Sequence, residues 1–165
     1  VELDLDSGAE VSAAYDEMAG RLGDRMTGAV VQQMAAPGIE TIVGVVQDPL
    51  FGPLVMFGLG GVATELLGDR SFRVLPLTDL DAAELVRSLR SSPLLFGYRG
   101  SPRVAVDALE DVLQRVARLA ARVPEVAELD LNPVIVSADG AVTVDYRAKG
   151  TPGRAGPSAD VRRLG

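Results

Sequence analysis

A chain of 165 residues that is 47% hydrophobic and 24% charged has room for one domain of ordinary size and enough apolar side chain to bury a core, which excludes a disordered tail. Its 23 acidic against 16 basic residues give a net charge of -7, a balance that disfavours nucleic-acid backbones and anionic membrane surfaces as partners. With no Cys and no His, disulfides, thiolate nucleophiles, Cys-ligated zinc and His-based triads are excluded, and any metal should be a hard, oxygen-bound cation such as Mg2+.

The longest apolar-plus-glycine run, residues 54–63, is far short of the roughly 20 residues that span a bilayer. The N-terminal VELDLDSG lacks the basic start and apolar stretch of a signal peptide. A soluble, cytoplasmic protein is the expectation. The opening without Met and the presence of only one lysine, Lys149, suggest a piece of a longer chain.

In chain order, Ser7 followed by Glu10 has the form of a capping box, and Val11, Ala14, Tyr15, Met18 and Leu22 continue at helical spacing, so a helix is predicted over residues 8–22. The pattern then turns β-rich, with strands predicted over residues 29–34, 39–46 and 54–58, separated by Pro37-Gly38 and DPLFGP. These read as three adjacent antiparallel strands. Gly58, Gly60 and Gly61 lead through a short segment carrying Glu65 to a strand over residues 72–75. Thr78 and Asp81 repeat the capping pattern ahead of a second helix that ends near residues 90–93. A loop, PLLFGYRGSP, precedes the clearest amphipathic helix, in which Leu109, Val112, Leu113, Val116, Leu119, Ala120 and Val123 form one face. Strands over residues 127–136 and 141–147 follow, joined through Asp139-Gly140. Residues 151–165 read as a Gly/Pro/Arg-rich tail or linker. The predicted class is α+β, with helices packed on a largely antiparallel sheet.

The last hairpin is where chemistry is most legible. Alternation puts Glu128, Asp130 and Asn132 on one face and Leu129 and Leu131 on the other. A two-residue turn at Asp139-Gly140 sets Val134 opposite Asp145 and Arg147 opposite Asn132, making Asn132 and Asp145 diagonal neighbours suited to a nucleotide-bound Mg2+, which takes one or two protein oxygens. A three-residue loop would instead send Asp145 to the other face. On pattern alone, an ordinary solvated hairpin face is the simpler reading. The GLGGVATE turn reads equally as a phosphate cradle or a plain turn. Gln32, Gln33 and Met34 read as an adenine-contacting hinge or a strand end, and Arg99 as an anion ligand or a surface residue.

Taken together, DPLFGPLVMFGLGG, PLLFGYRG, ELDLNP and VDYR, in that order, resemble the ATP-grasp domain of the NDP-forming acyl-CoA synthetases, the group of ADP-forming acetyl-CoA synthetase and, more distantly, the β-subunit of succinyl-CoA synthetase. The resemblance runs from about Leu3 to Arg147. It implies that Gln32, Gln33 and Met34 form the hinge beside adenine, that Glu40 faces the ribose, and that Gly60, Gly61 and Glu65 line the nucleotide site with Arg147 near the phosphates. It further implies Asn132 and Asp145 as Mg2+ ligands and Asp130 as the catalytic acidic position near the phosphohistidine of a swinging segment. The activity implied is carboxylate, CoA and ATP going to acyl-CoA, ADP and phosphate through an acyl phosphate and a phosphohistidine. Residues 1–150 would be the C-terminal ATP-grasp subdomain. The upstream ATP-grasp subdomain and a CoA-binding, His-bearing domain would lie elsewhere on the same chain or on a partner, leaving this chain inactive alone and prone to form a homodimer. Tyr146 stands where relatives often carry a small residue. The alternative reading is a non-catalytic module that senses nucleotide or acyl-CoA in an acetyltransferase-fused bacterial protein.

Overall fold

The computed structural model describes residues 1–61 and 68–151. They divide into two compact units, residues Val1–Ala35 and Ala36–Gly165. In the first, helix α1 (Gly8–Leu22) begins at Ser7, whose hydroxyl accepts from the Glu10 N–H at 3.2 Å. The Glu10 carboxylate reaches back to the Asp6 N–H at 2.8 Å rather than to Ser7. The first bond satisfies one of the amide groups that a helix start leaves without partners, and the second satisfies the amide just before the cap. A short 3-10 turn (Gly23–Arg25) follows. Residues 29–34, predicted as a strand, join no ladder. Their apolar run has the composition of a strand, but Val30 and Val31 are exposed and no ladder forms here among the described residues.

The second unit is built on a six-stranded antiparallel sheet: β1 (Ile39–Asp48), β2 (Gly52–Leu59), β3 (Arg70–Val74), β4 (Val126–Ser137), β5 (Gly140–Thr143) and β6 (Tyr146–Gly150). The order is β3-β2-β1-β4, with β5 and β6 both pairing with β4. Asp48 tightens the β1–β2 turn by accepting from the Leu50 and Phe51 N–H groups at 2.8 and 2.9 Å.

Helices α2 (Asp79–Arg87) and α3 (Val106–Arg122) cover one face of this sheet. Helix α2 starts with the predicted capping box, Thr78 and Asp81 each bonding the other's backbone N–H. It stops at Arg87, short of the expected break, and PLLFGYRG folds into 3-10 turns at Ser92–Phe96 and Tyr98–Gly100. The core lies between the helices and the sheet: Val43, Val45, Val55, Phe57, Val134 and Val136 meet Leu85, Val86, Leu109 and Leu113, with Leu95 closing one end. Every one of these is at most 1% exposed. The other face of the sheet carries none of these helices. Among the described residues no helix is long and apolar enough to cross a membrane.

Candidate functional site

Side-chain alternation delivers two different residue sets from the same strands. Val43 and Val45 of β1 point to the helices, so Ile42, Gly44 and Val46 point to the open face. The register then aligns rows across that face: Val46, Leu54 and Val74; then Arg147, Asp130, Gly44, Met56 and Phe72; then Ile42, Gly58 and Arg70. The half formed by β1, β2 and β3 is mainly apolar, whereas the β4 and β6 half is charged.

The pairing of β4 with β1 shifts by one between Thr41 and Val43, so Asn132 and Pro133 together face Ile42. This bulge reverses the alternation of β4. Leu129 is buried on the core side before it, and Val134 and Val136 are buried there after it. The partner strand breaks at the same level, with Val144 and Asp145 lying between β5 and β6. The Asn132 N–H donates to the Asp145 carbonyl at 3.1 Å and the Val144 N–H to the Pro133 carbonyl at 3.0 Å.

The register corrects the sequence expectation by two residues. Ser137 pairs with Gly140, so the turn is Ala138-Asp139 and not Asp139-Gly140. Arg147 therefore pairs with Asp130 rather than Asn132, and Thr143 rather than Asp145 faces Val134. Asp145 moves directly beside Asn132. A slip of two residues preserves the face, because the side-chain period of a strand is two. The physical cause lies in the turn: the Ser137 hydroxyl accepts from the Asp139 N–H at 3.1 Å, and Gly140 takes a φ of 147° as the first residue of the returning strand.

Asp130, Asn132, Asp145, Tyr146 and Arg147 line one cavity of about 150 Å³. The Asp145 carboxylate accepts from the Tyr146 N–H at 2.8 Å, which fixes its direction. Its oxygens and the Asn132 amide oxygen are hard donors, the type that suits Mg2+. Among the described residues no group of three or more acidic side chains gathers to hold a metal. The donor pair therefore fits a cation that shares its coordination shell with water and a ligand, rather than one caged by protein. Lys149 is committed to Glu128 at 3.1 Å, while Arg147 has no carboxylate within ion-pair distance among the described residues.

Glu40 lies exposed on β1, two residues from Ile42 on the same face. Its carbonyl accepts from the Gly60 N–H at 2.7 Å. That amide is consequently spent within the fold, and a side chain at Gly60 would come within 2.9 Å of the Glu40 Cβ. Gly60 thus serves as a close crossing between chain segments. Gly61 follows with a φ of 92°. Glu65 lies outside the described residues, as do residues 152–165 of the expected tail. Gln32, Gln33 and Met34 are exposed in the first unit, where Gln32 and Met34 line a cavity of about 400 Å³ with Tyr15, Met18 and Val30. Arg99 is exposed beside the Tyr98 ring, with a φ of 53°. The sequence reading passed over Arg70, although the alternation of RSFRV separates it from Arg73 and sets it on the open face.

A family model described as an ATP-grasp domain matches residues 1–149. The acetate–CoA ligase (ADP-forming) I subunit beta of Pyrococcus furiosus is 46% identical over 120 residues, covering 73% of this chain and 52% of its own length. The acetate–CoA ligase (ADP-forming) I of Archaeoglobus fulgidus is 47% identical over 123 residues, 74% of this chain and 18% of that protein. The chain thus spans about half or less of these relatives. A solved structure of acetyl-coenzyme A synthetase 1 from Ca. Korarchaeum cryptofilum, in complex with coenzyme A and Mg-AMPPCP, superposes with a TM-score of 0.82 at 42% identity, covering 91% of this chain and 67% of that one. An antiparallel sheet with α2 and α3 on one face, and a match along nearly its whole described length, agree: the chain belongs to the ATP-grasp domain family, in the company of ADP-forming acetyl-CoA synthetases.

Proposed function

We propose that this chain binds a magnesium-bound adenine nucleotide as the C-terminal ATP-grasp subdomain, residues 1–150, of an ADP-forming acyl-CoA synthetase. The observation that carries the reading is the meeting of Asn132, Asp145, Asp130 and Arg147 around one cavity on the open sheet face. The relative solved with Mg-AMPPCP supports the ligand class. In this reading Asn132 and Asp145 hold Mg2+, which offsets phosphate charge when bound. Arg147 supplies a fixed positive charge beside the same phosphates. Its partner in the ladder, Asp130, holds a carboxylate at the point where a phosphoryl carrier arrives, ready to orient a donor group on that carrier. Gln32, Gln33 and Met34 form the adenine hinge, Glu40 contacts the ribose, and Gly60, Gly61 and Glu65 border the nucleotide.

The whole enzyme in this reading converts a carboxylate, CoA and ATP to acyl-CoA, ADP and phosphate in the cytoplasm. It does so with an upstream ATP-grasp subdomain and a CoA-binding, His-bearing domain, on the same chain or a separate subunit, whereas this chain alone is prone to form a homodimer. Positioning dominates such a reaction, since the transferring phosphoryl must be held in line while its charge is offset. The test is calorimetric titration of the chain with Mg-ADP and Mg-ATP. Dissociation constants of about 0.1 to 1 mM, roughly 4 to 5.5 kcal/mol of binding, are expected. The Asn132→Ala/Asp145→Ala double variant should lose the dependence on magnesium, and equal binding with and without magnesium in the wild type would overturn the reading.

A further inference from the structure

We propose that Arg70 is a second anion contact of this site, taking a phosphate oxyanion from the side opposite Arg147; the inference rests on the nucleotide-binding reading above. Arg70 opens β3 and pairs with Gly58 of β2, so it shares the open face with Met56 and Phe72, while Arg73 faces the helices and pairs with Glu84 at 3.8 Å. A trough of about 280 Å³ runs across this face, and Arg70, Asp130 and Asn132 all line it. Arg70 therefore borders the same space as the donor that would hold the metal.

The neighbours of Arg70 direct it there. Gly58 has no side chain to occupy the ground between β3 and β1, and the Arg70 Cγ lies 3.3 Å from where a Cβ at Gly58 would sit. Its stem consequently lies over β2. The acidic residue next to it in sequence, Asp69, is engaged elsewhere: its carboxylate accepts from the Ser91 hydroxyl and from the Ser91 and Arg90 N–H groups, the last two at 2.8 and 3.2 Å. Burial pushes the Asp69 carboxyl up, but these hydrogen bonds and the Arg90 charge outweigh it and hold the group below the usual carboxylate range. Asp69 thus anchors the start of β3 without neutralising the neighbouring guanidinium.

Arg73, the other arginine of β3, is paired with Glu84, as Arg87 is with Glu110 and Arg115 with Asp111. Arg70 has none within ion-pair distance among the described residues. An arginine left without a carboxylate, leaning over a trough that ends at a candidate metal site, is suited to bidentate contact with a phosphate. Asn132 and Arg70 stand three strand spacings apart, about 14 Å at 4.8 Å each, and the long side chain covers part of that span. A phosphate in this trough would be approached by Arg70 from β3 and by the metal ligands from β4.

Two sources share this chemistry: the terminal phosphate of the bound nucleotide, and a phosphoryl group brought in while a diphosphate is bound. The experiment is calorimetric titration of the chain with Mg-ATP, with Mg-ADP, and with inorganic phosphate in the presence of saturating Mg-ADP, for wild type, Arg70→Ala, Arg70→Gln and Arg70→Lys. Arg70→Ala and Arg70→Gln should weaken one of these by five- to tenfold, Arg70→Lys by less, and the salt dependence of that affinity should fall because one charge contact is gone. A loss confined to Mg-ATP identifies the nucleotide's terminal phosphate, and a loss confined to inorganic phosphate identifies the delivered group. Unchanged affinity for all three in the Arg70 variants overturns the Arg70 proposal and leaves the nucleotide reading intact. If the wild type binds none of the three, both are overturned. Unaltered thermal melting of the Arg70 variants separates loss of contact from loss of fold.

Discussion

The two faces of the sheet are made by the same strands and have opposite characters. On the helix-covered face, Val43, Val45, Val55 and Phe57 are packed to at most 1% exposure against α2 and α3. On the open face, Arg147, Asp130, Met56, Phe72 and Arg70 stand one residue out of phase with them. One side stabilises through removal of apolar surface from water, and the other leaves charges unpaired that a compact monomer does not need. The difference teaches that stability and ligand chemistry are separable here residue by residue. A substitution's effect should follow the parity of its position more closely than its distance from the cavity.

The strongest challenge to that separation is a core truncation. Phe57→Ala should cost about 3–5 kcal/mol, because the transfer energy of the ring is lost and a cavity remains; a urea melt measures it, and a loss below 1 kcal/mol would mean that the covered face is not where stability resides. Next comes Gly38→Ala, since an added Cβ would lie 2.4 Å from the Val136 carbonyl oxygen. Relieving that overlap should cost about 1–3 kcal/mol, measured the same way, even though the atom added is a single methyl.

A smaller effect is expected at the start of α2. Thr78→Ala removes one half of the capping box and should cost about 1 kcal/mol. Hydrogen bonds from the Thr78 side chain and backbone hold the Asp81 carboxyl below its usual range. A lowered folded value contributes stability that is present above the unfolded value of about 4 and lost as pH falls through the folded value. The wild type should therefore lose stability below about pH 4, and Thr78→Ala should lose less over the same interval. Denaturant midpoints at pH 3 and pH 6 check this, and equal slopes in the two proteins would remove the cap from the account.

The smallest effect on stability is expected where the effect on binding is largest. Asn132→Ala/Asp145→Ala should change unfolding by no more than about 0.5 kcal/mol, as for exposed positions without a special structural role, while abolishing magnesium-dependent nucleotide binding. A large stability loss in this double variant would merge the two faces into one cooperative structure and break the comparison.

Much of this was readable in the sequence. Ser7 and Thr78 fixed helix starts because a hydroxyl before an apolar stripe satisfies exposed amides locally, and the face of α3 was plain in outline because apolar residues recur at helical spacing, although Leu119 and Val123 end exposed and Ala117 is buried instead. The pairing of Asn132 with Asp145 on one face was also readable, since the strand period survives a slip of two. Residues 29–34 misled, because a strand is completed by a partner and composition supplies none. The bulge at Asn132-Pro133 was hidden for a related reason: Pro133 signals an interrupted ladder, but which residues fill the interruption depends on β1 and on the break at Val144-Asp145 opposite.

What the amino-acid sequence determined by itself was the local alphabet of this protein: its capped helices, its alternating strands, and a chemistry limited to oxygen donors and guanidinium groups by the lack of His and Cys. What only the tertiary structure decided was which of these meet. Asp130 found Arg147, Asp145 came level with Asn132, and Arg70 joined their trough from a strand some 60 residues away in sequence from Asp130. Local preference acts through a few neighbouring dihedrals and hydrogen bonds, whereas register across a sheet is set by turns, bulges and the burial of a shared face, which are properties of the whole fold.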